Sequence, residues 1–187
     1  MLLDIALGII ISIFVSKLLN IELTTLLVFV GIFFALLPDA DFILFLLKGG
    51  KAGKRAHFHR DLFHRPLLYI PIGFIMLLPF GKEWAFLFAL TSLGHFIHDS
   101  TAFGLGWGIR LFWPFSKNYF MFFRFRVGGE KKFPFRPVYN LNSSEALRMA
   151  DEYGDPNWMR NLYFCPSVVL VTELVFLVLA LLLLWLY

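Results

Sequence analysis

The chain has 187 residues, a formal net charge of +4, 59% hydrophobic residues and a mean hydropathy of +0.73. Soluble domains run at about 45–50% apolar residues, so this composition excludes an ordinary soluble enzyme and indicates one integral membrane domain over 1–187. The lone cysteine, Cys165, excludes an intramolecular disulfide and a zinc site built on paired thiolates.

In chain order, residues 2–19 form the first expected span. At 1.5 Å rise per residue they cover about 27 Å, close to a hydrocarbon core. No basic segment or small-residue cleavage site accompanies them, so they read as a retained helix, not a removed signal. After a polar turn at Asn20 and Glu22, residues 23–37 form a second apolar run. Pro38 is expected to end it, because proline disfavours helix at the preceding residue and removes a donor. A basic loop over 48–65 with three histidines follows. Residues 67–80 and 84–98 are the third and fourth expected spans, joined by a turn at Gly81-Lys82, and 166–187 is the fifth. The region 104–165 is expected not to span. Within it, 110–126 mixes Phe, Trp and Arg without clear period and reads as interfacial. Asn142 three residues before Glu145 is a capping-box pattern for a surface helix over Ser143–Tyr153, with Gly154 as its C-cap. Asp155-Pro156 reads as the opening of another short helix. The expected fold is therefore all-α: a polytopic bundle of about five transmembrane helices with a cytoplasmic helical insertion before the last.

Of the 17 lysines and arginines, only Lys17 and Lys82 lie outside two regions, 48–65 and 110–160. Membrane topology explains this basic excess more simply than nucleic acid, and no nucleic-acid partner is expected. With five spans, both regions fall on the cytoplasmic side of the cell membrane, with the N-terminus inside and the C-terminus outside. The same alternation brings Asp4, Asp39, Asp41, His59, His64, His95, Asp99 and Glu173 to one face. Ionisable groups in or beside a bilayer are costly unless paired, metal-bound or functional.

His95, His98 and Asp99 share one helix face at i, i+3 and i+4, and His95 with Asp99 makes a workable pair of metal ligands from one helix. Alone, the pattern is also that of interfacial polar residues. Pro38-Asp39-Ala40-Asp41 sets two carboxylates at a helix break; alone it reads as a helix stop. His59 and His64 flank a stretch in which Arg60 lies four before His64, so a helix would turn both the same way. An arginine beside a metal suits a phosphate or carboxylate, although Arg60 and Arg65 also serve as topology signals. Asp4 and Glu173 are single acids inside apolar runs. No nucleophile elbow, P-loop, dinucleotide fingerprint or H-E-x-x-H occurs.

Taken in order, these motifs resemble the YdjM-type family of membrane-bound metal-dependent hydrolases. Its pattern has a His four residues before a Gly, then P-D-x-D, H-R-x-x-x-H, and H-x-x-x-D followed by Gly and W-P. Here the series reads Asp4 to Gly8, Pro38 to Asp41, His59 to His64, His95 to Asp99, Gly104 to Gly108 and Trp113-Pro114. Two departures stand out: Asp4 replaces the family histidine, and Arg65 replaces a small hydroxyl residue after His64. The family's distant similarity to zinc phospholipase C and P1-type nucleases implies a multinuclear zinc site and makes Glu173 a late ligand.

The expected function is a metal-dependent hydrolase acting on a phosphoester or phospholipid at the cytoplasmic leaflet. Asp4, Asp39, Asp41, His59, His64, His95 and Asp99 are the expected metal ligands, Zn2+ the expected ion with Mn2+ the alternative. Arg60, His64 and Glu173 are the expected catalytic residues. The alternative is a non-enzymatic membrane protein, either an ion or metal transporter or an envelope protein with a structural metal.

Overall fold

The computed structural model describes residues 1–51, 53, 60, 63–101, 108–123 and 136–187. The expected ligand His59, and Gly104 and Gly106 of the glycine motif, lie outside the described residues. The chain divides into two compact units, one of Met1–Pro38, Leu68–His95 and Thr172–Tyr187, the other of Asp39–Leu67 and Phe96–Val171.

The first unit is helical. Helix α1 (Leu2–Leu19) ends at Asn20, whose left-handed φ of 52° lets its N–H reach Lys17 O. Helix α2 (Thr25–Leu36) opens on Thr24, which accepts the Leu27 N–H at 3.1 Å and so satisfies one of the free amides of the first turn. The two helices approach at Gly8 and Gly31. A Cβ on Gly8 would lie 2.5 Å from Ile32 Cα, and one on Gly31 would lie 2.8 Å from Gly8 O. Ser12 fills the seam, its hydroxyl donating to Gly8 O at 2.7 Å. Most of helix α4 (Pro66–Leu77), of helix α5 (Lys82–Ser100) and of helix α8 (Val168–Leu186) complete this unit. Its core packs Val15, Leu27, Phe34, Leu87 and Phe88.

Helix α2 ends just before Pro38, as expected, but the apolar run continues past it. The backbone tightens into one 3-10 turn at Leu37–Asp39 and resumes as helix α3 (Ala40–Leu47). Proline's fixed φ suits the first turn of a helix, where its missing N–H has no intrahelical partner to lose. Among the described residues, three stretches are long and apolar enough to cross a membrane: Leu2–Leu19, Thr25–Leu47 and Val168–Leu186. Pro66–Phe80 is apolar but shorter.

The second unit corrects the all-α expectation. Part of the stretch expected to be interfacial forms β1 (Tyr119–Phe122), paired antiparallel to β2 (Val138–Leu141) with Tyr119 opposite Leu141. Alternation puts Tyr119, Met121, Tyr139 and Leu141 on one buried face. Helix α6 (Ser143–Tyr153) covers that face with Ala146, Met149 and Ala150. Its capping box is complete: Asn142 accepts the Glu145 N–H, and the Glu145 side chain accepts the Asn142 N–H, both at 2.9 Å. Helix α7 (Trp158–Tyr163) starts two residues beyond Pro156, while the Asp155 carboxylate accepts from the Asn157 N–H and from Asn161 Nδ2, each at 2.8 Å.

Candidate metal centre

The break at Pro38 sets Asp39 at the start of α3 and Asp41 in its first turn. Asp41 is 2% exposed and turns Oδ2 to the His64 ring, 3.0 Å from Nδ1; the Phe63 N–H donates to the same oxygen at 3.3 Å. With Nδ1–H donating to that carboxylate, a neutral ring keeps its lone pair on Nε2. That Nε2 lies 3.0 Å from Asp99 Oδ2 and 3.7 Å from Asp39 Oδ1. A lone pair pointed at two carboxylates is repulsive; a second ring proton or a cation among the three atoms removes the repulsion. The Phe96 ring packs edge-on against His64 at 5.8 Å between centroids and fixes its plane.

Asp99 sits in the last turn of α5. Its Oδ1 accepts from Arg60 Nη2 at 2.8 Å, a pair with both partners buried. The Nε and Nη1 atoms of Arg60 are buried without a hydrogen-bond partner among the described residues.

His95 lies one turn before Asp99. The division between the two units cuts α5 between His95 and Phe96, so one unbroken helix carries both residues. The His95 environment repeats that of His64: Nδ1 lies 3.0 Å from Asp4 Oδ1, and both side chains are buried. Asp4 Oδ2 lies 3.0 Å from the Met1 nitrogen. Glu173, in α8, accepts the Leu2 N–H at 2.9 Å through Oε2.

Asp39, His64, His95 and Asp99 each offer one ligand atom, and these atoms lie within 4.8 Å of one another. Two imidazole nitrogens and two carboxylate oxygens match the donor preferences of zinc and of other borderline divalent ions. The quartet therefore fits a metal ion. Asp4 and Asp41, expected as ligands, face the Nδ1 atoms of His95 and His64. Arg60 joins the cluster through Asp99, and Glu173 faces the α1 backbone. Spacing alone did not reveal the stacking of the Arg65 guanidinium on Trp113, 4.4 Å from the ring centroid. The Asp4–His95 pairing was equally hidden, yet carried a signal: a ligating histidine usually gives its second nitrogen to a carboxylate.

A family model described as YdjM inner membrane protein matches residues 4–187. No curated protein matches, and no solved structure does.

Proposed function

The chain belongs to the YdjM inner membrane protein family, and on that premise we propose that it is a membrane-bound metal-dependent hydrolase of a phosphoester, a phospholipid head group among the candidates. The observation that carries this reading is the doubled Nδ1–carboxylate pairing, which leaves Nε2 of His64 and of His95 for the same cluster as Asp39 and Asp99.

His64, His95, Asp39 and Asp99 would hold the ion, zinc by donor type. A divalent ion there supplies Lewis acidity toward a phosphoryl oxygen and brings the pKa of water in its shell to about 7. Asp41 and Asp4 orient the two imidazoles and raise their basicity as ligands. Arg60 binds the substrate's anionic oxygens, since its Nε–H and Nη1–H groups lack acceptors among the described residues and guanidinium matches phosphate in a fork. Asp99 holds Arg60 beside the centre, which couples the anion hook to a ligand carboxylate. The proposed arrangement in the membrane has five crossings, the N-terminus inside and the site at the cytoplasmic face.

Four protein ligands are also the full set of a closed structural zinc site. The Asp39 side chain is 34% exposed, which favours a centre that substrate can reach.

Elemental analysis of detergent-purified protein tests the reading, beside a His95→Ala/Asp99→Ala variant. At least one zinc or manganese per chain, absent from the variant, is the expected result, followed by metal-dependent release of product from phosphoester and phospholipid panels. A metal-free wild type that gains no thermal stability from added zinc or manganese would overturn it. Metal retention without hydrolysis would favour the structural reading.

A further inference from the structure

Glu173 is an acid in the candidate membrane span Val168–Leu186, and it is 2% exposed. A carboxyl group inside a span costs several kcal/mol in most estimates unless something compensates it. Its Oε2 accepts the Leu2 N–H at 2.9 Å, and the Met1 nitrogen lies 3.4 Å from the same oxygen. Leu2 opens α1, and α1 has no side-chain cap of its own. The first amides of a helix have no intrahelical acceptors, and in a membrane no water replaces them. A carboxylate there also meets the positive end of the helix dipole.

The turn capped in this way carries Asp4, whose Oδ1 holds Nδ1 of His95 at 3.0 Å. We infer that Glu173 is a positioning residue: from α8 it caps the first turn of α1, and through that turn it holds Asp4 in register against His95. The inference rests on the metal-centre reading for its consequence, but not for the cap itself. It separates Glu173 from the ligands, the quartet being Asp39, His64, His95 and Asp99.

The test uses the full chain in detergent with two variants. Glu173→Gln keeps a carbonyl acceptor and loses the charge. Glu173→Met keeps similar bulk and has no such acceptor. Zinc affinity is read by competition with a chromophoric chelator, and amide exchange is read over Ile5 to Gly8. The expected result is a weakening of zinc binding by about 10–100-fold in Glu173→Met, the usual range for a lost orienting partner, with faster exchange in that segment. Glu173→Gln should stay near wild type in both. Zinc loss in Glu173→Gln equal to that in Glu173→Met would overturn the inference, because the carboxylate charge would then act directly. Unchanged exchange in Glu173→Met would overturn it too. If no form of the protein binds zinc, the hydrolase reading fails while the exchange measurement still decides the cap. If Glu173→Met does not fold, Glu173→Gln alone decides, since a ligand role predicts zinc loss there and a capping role does not.

Discussion

On the proposed reading, His64 and His95 each have a carboxylate on Nδ1 and give Nε2 to the cluster, so four aspartates divide into two roles. Asp39 and Asp99 contribute oxygens to the quartet, while Asp41 and Asp4 hold rings. The roles separate by mutation. Asp39→Ala removes a donor and should abolish stoichiometric zinc, whereas Asp41→Ala should leave one zinc per site and weaken its binding by about 10–100-fold. Chelator competition distinguishes the two, and equal loss in both would assign Asp41 to the ligand set. Arg60 gives a second test. Removing one member of a buried ion pair costs about 3–5 kcal/mol because the other charge stays buried unpaired. Arg60→Met should therefore unfold markedly earlier than wild type in excess EDTA. With zinc added the difference should shrink, because the ion neutralises Asp99. A destabilisation indifferent to zinc would show that Asp99 does not touch the metal. At this scale the sequence was legible where ligands share an element: His95 and Asp99 are one helical turn apart. The pairing of Asp4 with His95 bridges 91 positions and follows from packing between α1 and α5, which no local pattern encodes.

Helix-level packing puts the Asp4-bearing helix in place through a seam of very small residues. In an apolar bundle, close backbone approach replaces the hydrophobic effect as the source of helix association. Gly8 sits at the closest backbone approach of the seam, with an added Cβ 2.5 Å from Ile32 Cα and 2.9 Å from Gly31 C. These are backbone atoms and cannot rotate away. Gly8→Ala should destabilise by at least the ~1–3 kcal/mol typical of overpacking, read as a lower unfolding midpoint in detergent. Gly94→Ala is the matched control: its Cβ would meet Leu7 Cδ1 at 3.4 Å, an ordinary contact with a flexible side chain. It should be neutral or mildly stabilising, since alanine favours helix over glycine by about 1 kcal/mol. Other elements were legible to different degrees. Helix α6 is announced by its capping box, a local signal that survives any tertiary context. Pro38 does stop α2, but a proline that breaks one hydrogen-bond ladder also starts the next, and α3 follows at once. The β-ribbon was hidden because Tyr119–Phe122 is apolar at every position, and its partner strand begins 16 residues after it ends. Period two appears only once burial is known.

For the whole molecule, the solvent is lipid, and the exposed surface says so. The candidate span Val168–Leu186 is only 17% buried, and its outward residues include Val171, Val175, Val178, Leu182 and Trp185. Unpaired in water, such a face would aggregate; in a bilayer it is ordinary. The open quantity is the number of crossings, and it turns on α4 and α5. Pro66–Phe80 rises about 22 Å at helical pitch, less than a hydrocarbon core of about 30 Å. Yet Ile72, Ile75, Met76, Leu78 and Phe80 are all exposed, as lipid-facing residues would be. A short helix is accommodated by local thinning or by flanking residues that reach the interface, at fractions of a kcal/mol per ångström. Lys82, directly after the Gly81 turn, is such a residue. Five crossings place Lys82 outside with Glu22; three crossings leave it inside with Lys51 and Ser144. In a Cys165→Ser background, Glu22→Cys and Lys82→Cys should react with an impermeant maleimide on intact cells. Lys51→Cys and Ser144→Cys should react only after lysis if the proposed orientation, drawn from the concentration of basic residues in 48–65 and 110–160, holds. Protection of Lys82→Cys together with labelling of Glu22→Cys would reduce the count to three and turn α4–α5 into a hairpin that enters and leaves on one face. Labelling of Lys51→Cys on intact cells would invert the orientation and move the metal centre to the outer face.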